Sequence, residues 1–151
     1  MASISPNSGQ YAEELFSSGF FCAESSLLAL AKAQGIESNL LPKIATAFCS
    51  GVARTCGTCG ALSGAIMGVS LGLGRTTPED SVQATYDATQ KLIKKFESEF
   101  GAGNCQALLG CDLGTPEGQS KFREQQLGKK CAKFTRRATE IAAEILQKTD
   151  G

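Results

Sequence analysis

The sequence predicts an all-α protein, a compact single-domain helical bundle with a central Gly/Ala-rich helix. Three observations predict it. Two long segments carry apolar residues at alternating steps of three and four, the period of one helical face. No segment alternates apolar and polar residues as a half-buried strand does. Between residues 60 and 72, Gly60, Gly64, Gly68 and Gly72 recur at every fourth position with Ala61 and Ala65 beside them.

Residues 1–10 read as a small, polar N-terminal tail without the basic start and apolar core of a signal peptide; residues 11–148 read as the domain. Residues 11–18 form a short amphipathic segment. Residues 22–33 are rich in alanine and leucine and end at Gly35, and residues 40–48 carry an apolar face around Pro42. From residue 49 to 73 the composition shifts to glycine, alanine and cysteine. On a helix, the glycine stripe makes a flat groove where another backbone can approach closely. Each glycine costs about 1 kcal/mol of helix propensity relative to alanine, so tight packing must offset it. No lysine follows as in the phosphate-binding G-x-x-x-x-G-K-[ST] pattern, so the stripe reads as packing.

Residues 78–100 give the clearest helix. Thr77 can cap it, Pro78 suits the first helical position, and Glu79 and Asp80 complement the positive end of the dipole. Its expected stripe is Val82, Tyr86, Thr89, Ile93, Phe96 and Phe100, with Gly101 as the stop. Thr115-Pro116-Glu117 is a second start signal, and Gly128 is a break or kink. Beyond it Cys131, Phe134, Ala138, Ile141 and Ile145 again step by three and four.

With 151 residues, 42% hydrophobic and 20% charged, the chain has the size and composition of one globular domain. Lysine plus arginine equal aspartate plus glutamate at 15 each, so no net field draws the chain to nucleic acid or to an acidic membrane. The longest nearly uncharged apolar run, residues 61–73, falls short of the roughly 20 residues that span a bilayer. The expectation is a cytoplasmic protein with no direct membrane insertion. Histidine is absent. This excludes a Cys₂His₂ zinc site, His-ligated haem and any Cys-His or Ser-His catalytic pair.

Chemistry is left to thiolates, carboxylates, lysine, arginine, hydroxyls or backbone, and the seven cysteines stand at positions 22, 49, 56, 59, 105, 111 and 131. Their number is odd, so they cannot all pair within one chain, and in a reducing compartment many thiols point to metal or redox work. Cys56 and Cys59 form a C-x-x-C. Cys59 is expected to open the glycine-rich helix, where free amides and the helix dipole favour a thiolate. By itself the motif is weak. No strand precedes it as in a thioredoxin unit, no second C-x-x-C makes a zinc ribbon, and the ferredoxin spacings are missing.

The pattern Cys22-Ala23-Glu24, then Cys59-Gly60-Ala61-Leu62-Ser63-Gly64-Ala65, then Phe100-Gly101 with Cys105, then Cys131 resembles the C_GCAxxG_C_C family. The resemblance spans residues 11–146. It implies a helical, redox-active or metal-binding protein with Cys22, Cys59, Cys105 and Cys131 as the signature thiols. Cys49 and Cys56 stand where that family more usually has glycine or another small residue, and Cys111 is likewise additional.

Three readings follow. In the first, Cys22, Cys59, Cys105 and Cys131 bind an iron–sulfur cluster for electron transfer, since four sulfurs are the ligand count for such a cluster; zinc, or no metal, is the alternative. Lys129, Lys130, Lys133, Arg136 and Arg137 either offset the charge of such a site or form a solvated helix face, the blander option. The second is a metal-free thiol–disulfide protein in which Cys59 attacks and Cys56 or Cys105 resolves. The third is a thiol-based sensor or binding module. Cys49 and Cys111 are expected as small buried side chains. A redox partner protein is implied by electron transfer, and a homodimer is left open.

Overall fold

A computed structural model describes residues 7–150, and their regular structure is helical; the sole strand-like feature among them is an isolated antiparallel bridge between Thr58 and Asn104. The right-handed α-helices are α1 (Ser8–Ser17), α2 (Cys22–Ala33), α3 (Leu40–Ala45), α4 (Gly60–Leu73), α5 (Gln83–Phe100), α6 (Cys105–Leu109), α7 (Pro116–Glu124) and α8 (Gly128–Asp150). A 3₁₀ turn, Thr46–Phe48, continues α3. Helix α1 begins at Ser8, so the last residues of the expected tail are helical and Ser8 and Gly9 are buried. The first six residues of that tail lie outside the described residues.

Helix α4 is central, packing against α2, α5 and α8, while α1 packs across α2 and α8. The glycine stripe makes this possible. A Cβ on Gly64 would collide with the backbone of Ala23, and one on Gly68 with the side chain of Leu30. The α2–α4 crossing is thus as close as two backbones allow. Gln34 fastens its far end, its side-chain amide donating to the carbonyls of Leu30 and Gly68 at 3.1 and 3.0 Å. Leu27, Leu30, Leu62, Val69, Leu92 and Ile141 fill the surrounding core. No helix among the described residues is long and apolar enough to cross a membrane.

Two expectations for the fifth helix are corrected. It begins at Gln83, not near Pro78. Residues 76–80 form a turn instead, because the Asp80 carboxylate accepts the Thr76 N–H and the Asp80 N–H is taken by the Thr77 carbonyl. Its buried face centres on Ala88, Leu92 and Phe96, leaving Tyr86 57% exposed. The helix touches only α4 and α8 extensively, so a narrow stripe suffices. Its end is as expected, with Gly101 in the left-handed region. Thr115 likewise caps α7, its hydroxyl accepting the Gly118 N–H at 2.9 Å.

Phe96 and Phe100 of α5 meet Phe134 of α8 in a triangle of tilted and edge-on rings, with centroids 4.9 to 6.2 Å apart. Phe134 also lines the cavity reached by Cys59 and Gly60 at the start of α4.

Between Cys49 and Cys59 the chain does something periodicity does not announce. Ser50, Gly51, Val52, Ala53 and Arg54 all have φ between 55° and 67°, one turn of left-handed helix. For residues other than glycine this costs roughly 1–2 kcal/mol each. The turn is held by hydrogen bonds. The Gly51 carbonyl accepts from Thr55 and Gly57 N–H, and the Thr55 hydroxyl donates to the Val52 carbonyl.

Candidate functional site

Four separate pieces of chain deliver the four expected thiols to one place. Cys22 is the first residue of α2, where Glu24 accepts both the Phe21 N–H and the Thr46 hydroxyl, tying the helix start to the 3₁₀ turn. Cys59 is the N-cap of α4. Cys105 is the first residue of α6, capped by Asn104, whose side chain accepts the Ala107 N–H. Cys131 lies in the first turn of α8. All four line a single cavity of about 430 Å³.

The pairing of Cys59 with Cys105 has a backbone cause. Cys59 N–H donates to the Gly103 carbonyl at 2.8 Å, and Cys105 N–H donates to the Gly57 carbonyl at 2.9 Å. Those two bonds flank the Thr58–Asn104 bridge and fix two distant loops side by side. The left-handed turn joins the same assembly. A Cβ on Gly51 would lie 2.5 Å from Cys105 Cβ and 3.3 Å from its sulfur, so glycine is required there for the approach as well as for φ.

Burial dominates the electrostatics. The Cys59 thiol is pushed up to about 11 by desolvation, although the Ala61 and Leu62 amides at the helix start act in the opposite direction. The sequence expectation of a favoured thiolate is thus corrected: the amides are where they should be, but burial outweighs them. Cys105 is raised to about 11 by burial and then by Cys111, Cys56 and Asp112. Cys131 is raised to about 12 by burial and then by Cys59, Cys105 and Cys111. Burial thus favours the neutral thiol at Cys59, Cys105 and Cys131.

The remaining cysteines are not scattered. Cys49 is buried beside Cys22, and its thiol approaches the Ala45 carbonyl at 3.8 Å. Cys111 is buried near Cys105 and Cys131. Cys56 is half-exposed and turns to Asp112, which raises its pKa through a hydrogen bond to the thiol. The two thiols of the C-x-x-C therefore have different surroundings, one on the rim and one in the cavity.

Phe16, Phe21, Leu108, Leu109, Phe122 and Phe134 give the cavity mostly apolar walls. Its cations are Arg54 and Arg123, neither of which has a carboxylate partner among the described residues. Lys129, Lys130 and Lys133 are exposed on α8. Arg136 pairs with Glu13, and Arg137 donates through Nε to both oxygens of Glu99. None of these five is on the cavity wall. Nothing in the sequence pointed to Arg54 or Arg123, since one sits in the unannounced left-handed turn and the other on the polar α7.

The model of the family described as "Putative redox-active protein (C_GCAxxG_C_C)" matches residues 20–145. The chain belongs to that family. As a C_GCAxxG_C_C protein it is a redox-active, cysteine-rich, all-α chain. No curated protein and no solved structure gives a significant match. In this C_GCAxxG_C_C protein the matched segment holds all seven cysteines and both cavity arginines.

Whether the donor set suits a metal depends on what kind. Among the described residues, no three Cys, Asp or Glu side chains gather closely enough to hold one ion. A single zinc ion, which needs four donors at about 2.0–2.3 Å, does not fit the arrangement. Four thiols around one cavity match a polynuclear core in donor type and number.

Proposed function

We propose that this protein transfers electrons through an iron–sulfur cluster held by Cys22, Cys59, Cys105 and Cys131. The observation that carries the reading is the presence of these four thiols, from four different helix starts, on the wall of one cavity. Buried thiols with pKa values raised to about 11–12 are poor nucleophiles but become good ligands when a cation displaces their protons. Such a cluster, when bound, supplies one-electron chemistry. The chain's own part is to hold four ligands from distant segments and to keep water out with the phenylalanine and leucine walls. Arg54 and Arg123 balance the negative charge of the thiolates. A separate redox partner protein, to deliver or collect the electron, and a cytoplasmic location belong to the same proposal.

Anaerobic purification followed by iron and acid-labile sulfide analysis and a visible spectrum tests it. Iron and sulfide in matching amounts, a broad charge-transfer absorption, and loss of both in Cys59→Ser are expected. Colourless protein that takes up neither iron nor sulfide on reconstitution overturns it.

A metal-free thiol–disulfide reading has one specific observation in its favour. Cys59 and Cys105 are fixed side by side by reciprocal backbone hydrogen bonds, an arrangement suited to opening and closing one bond. Colourless protein with a reversible disulfide linking those two residues supports it in place of the cluster.

A further inference from the structure

Sequence reasoning gave Cys49 no task beyond filling space, yet its Cα and the Cys22 sulfur both crowd one point beside Gly60. The two residues are far apart along the chain and are brought together by Gly60. The place a Gly60 Cβ would occupy is taken by the Cys22 sulfur, and that same place lies 3.1 Å from Cys49 Cα and 3.0 Å from the Phe48 carbonyl oxygen. Any larger residue at position 60 would separate the pair. The two thiols differ in access. Cys22 is on the cavity wall, whereas Cys49 is not, and sits behind it in the core. The neighbouring Cys22 thiol and burial push the Cys49 thiol up, and the Glu24 and Ala23 amides at the start of α2 only partly oppose them.

We propose that Cys22 and Cys49 are a redox-reactive dithiol that closes to a disulfide on meeting a low-molecular-weight disulfide in the cavity, with Cys22 attacking first and Cys49 resolving. In the first step the Cys22 sulfur bonds to one sulfur of the incoming disulfide, whose other half leaves as a thiol carrying the Cys22 proton. In the second, the Cys49 sulfur bonds to the Cys22 sulfur and the remaining half leaves as a thiol with the Cys49 proton. Two electrons pass from the dithiol to the small disulfide, which is reduced to two thiols. The order of attack follows from access: a molecule entering the cavity reaches Cys22 and not Cys49. The inference concerns the cluster-free protein, because a cluster bound through Cys22 would occupy the attacking sulfur.

Trypsin makes the test direct, because it releases Cys22 in residues 1–32 and Cys49 in residues 44–54, while Cys56 and Cys59 share residues 55–75. The reduced full-length protein, shown by analysis to be free of iron and sulfide, is treated anaerobically with oxidised glutathione, alkylated, digested and mapped by mass spectrometry. The expected product is a disulfide joining peptides 1–32 and 44–54. In Cys49→Ser that product is lost and glutathione accumulates on peptide 1–32. In Cys22→Ser, peptide 44–54 stays free of glutathione and is recovered alkylated. Linkage of peptide 1–32 to any other cysteine peptide overturns the proposal, and so does a Cys49→Ser protein whose peptide 1–32 carries no glutathione. Circular dichroism of both variants checks that they fold, and the wild-type map decides the pairing without them. Iron and sulfide content, measured separately, reports on the cluster, so either idea can fail alone.

Discussion

The two ends of helix α4 meet their neighbours by opposite means. From Gly64 onward the helix is packed tightly, Gly64 against the backbone of Ala23 and Gly68 and Gly72 against the side chains of Leu30 and Gln34, and the interface is closed. At its start, Cys59 and Gly60 meet a left-handed turn, a bridge between loops and an open cavity. One end has the dense packing that stabilises helical bundles. The other leaves space unfilled, gathers seven thiols in or around it and holds five non-glycine residues, Ser50, Val52, Ala53, Arg54 and Cys56, at positive φ. Strained and underpacked structure persists only where the surroundings over-determine it, and it gathers at functional sites. The close crossing at one end of α4 supports the open chemistry at the other.

The largest effect that separates the two ends is expected from pH. In the reduced, metal-free protein Cys59 and Cys105 ionise near 11, against an ordinary thiol value of 9.0. Below the ordinary value both thiols are protonated whether the chain is folded or not, and stability is unaffected by them. Above it the unfolded chain releases protons that the folded chain keeps, so stability falls as pH rises from 9.0 toward about 11. The slope is about 1.4 kcal/mol per pH unit for each thiol. Urea denaturation of wild type and Cys59→Ser across this window isolates one thiol from the tyrosines and lysines that titrate nearby. A shallower decline in the variant is expected. Identical declines would mean that the Cys59 environment is wetter than its burial indicates.

The same division marks what the sequence could disclose. Helix α2 has the limits that composition suggests, 22 to 33, and the start signal at Thr115 and the stop at Gly101 act as capping rules require. These features depend on residues a few positions apart. The glycine stripe was also readable as a groove, although not which helix fills it. The left-handed turn was not readable, because Ser50, Val52, Ala53 and Arg54 have no local preference for positive φ; Gly51 alone has one. Bonds to residues 57 and 103–105 hold that region, and such pairings leave no periodic trace. For the same reason Arg54 and Arg123 escaped notice, and Cys49 was read as filler when its neighbour is Cys22. That Cys22, Cys59, Cys105 and Cys131 belong together came from the family pattern and not from spacing.

A smaller effect tests the closed end. Gly64→Ala gains about 1 kcal/mol of helix propensity but places a methyl against the carbonyl and Cα of Ala23. Those are backbone atoms, which cannot swing aside as a side chain can. Overpacking of this kind costs about 1–3 kcal/mol, so a net loss of up to about 2 kcal/mol is expected in chemical denaturation. Neutral or increased stability would show that α2 and α4 can separate freely, and the proposed contrast between the ends of α4 would lose its first half.

The smallest effect is a change of sign. In a right-handed helix alanine to glycine destabilises, and Ala132→Gly in α8 is expected to cost about 1 kcal/mol. Ala53 is exposed with φ 55°, so its side chain contributes little packing while its Cβ is strained by the left-handed turn. Glycine there relieves about 1–2 kcal/mol and adds about 0.4–1 kcal/mol of unfolded-chain entropy to be overcome. Ala53→Gly should therefore leave stability unchanged or raise it by about 1 kcal/mol. Thermal denaturation of the two variants side by side reads the difference directly. A loss at Ala53 equal to that at Ala132 would mean that residues 50–54 are ordinary helix. The approach of Gly51 to Cys105, and with it one wall of the cavity, would then need another explanation.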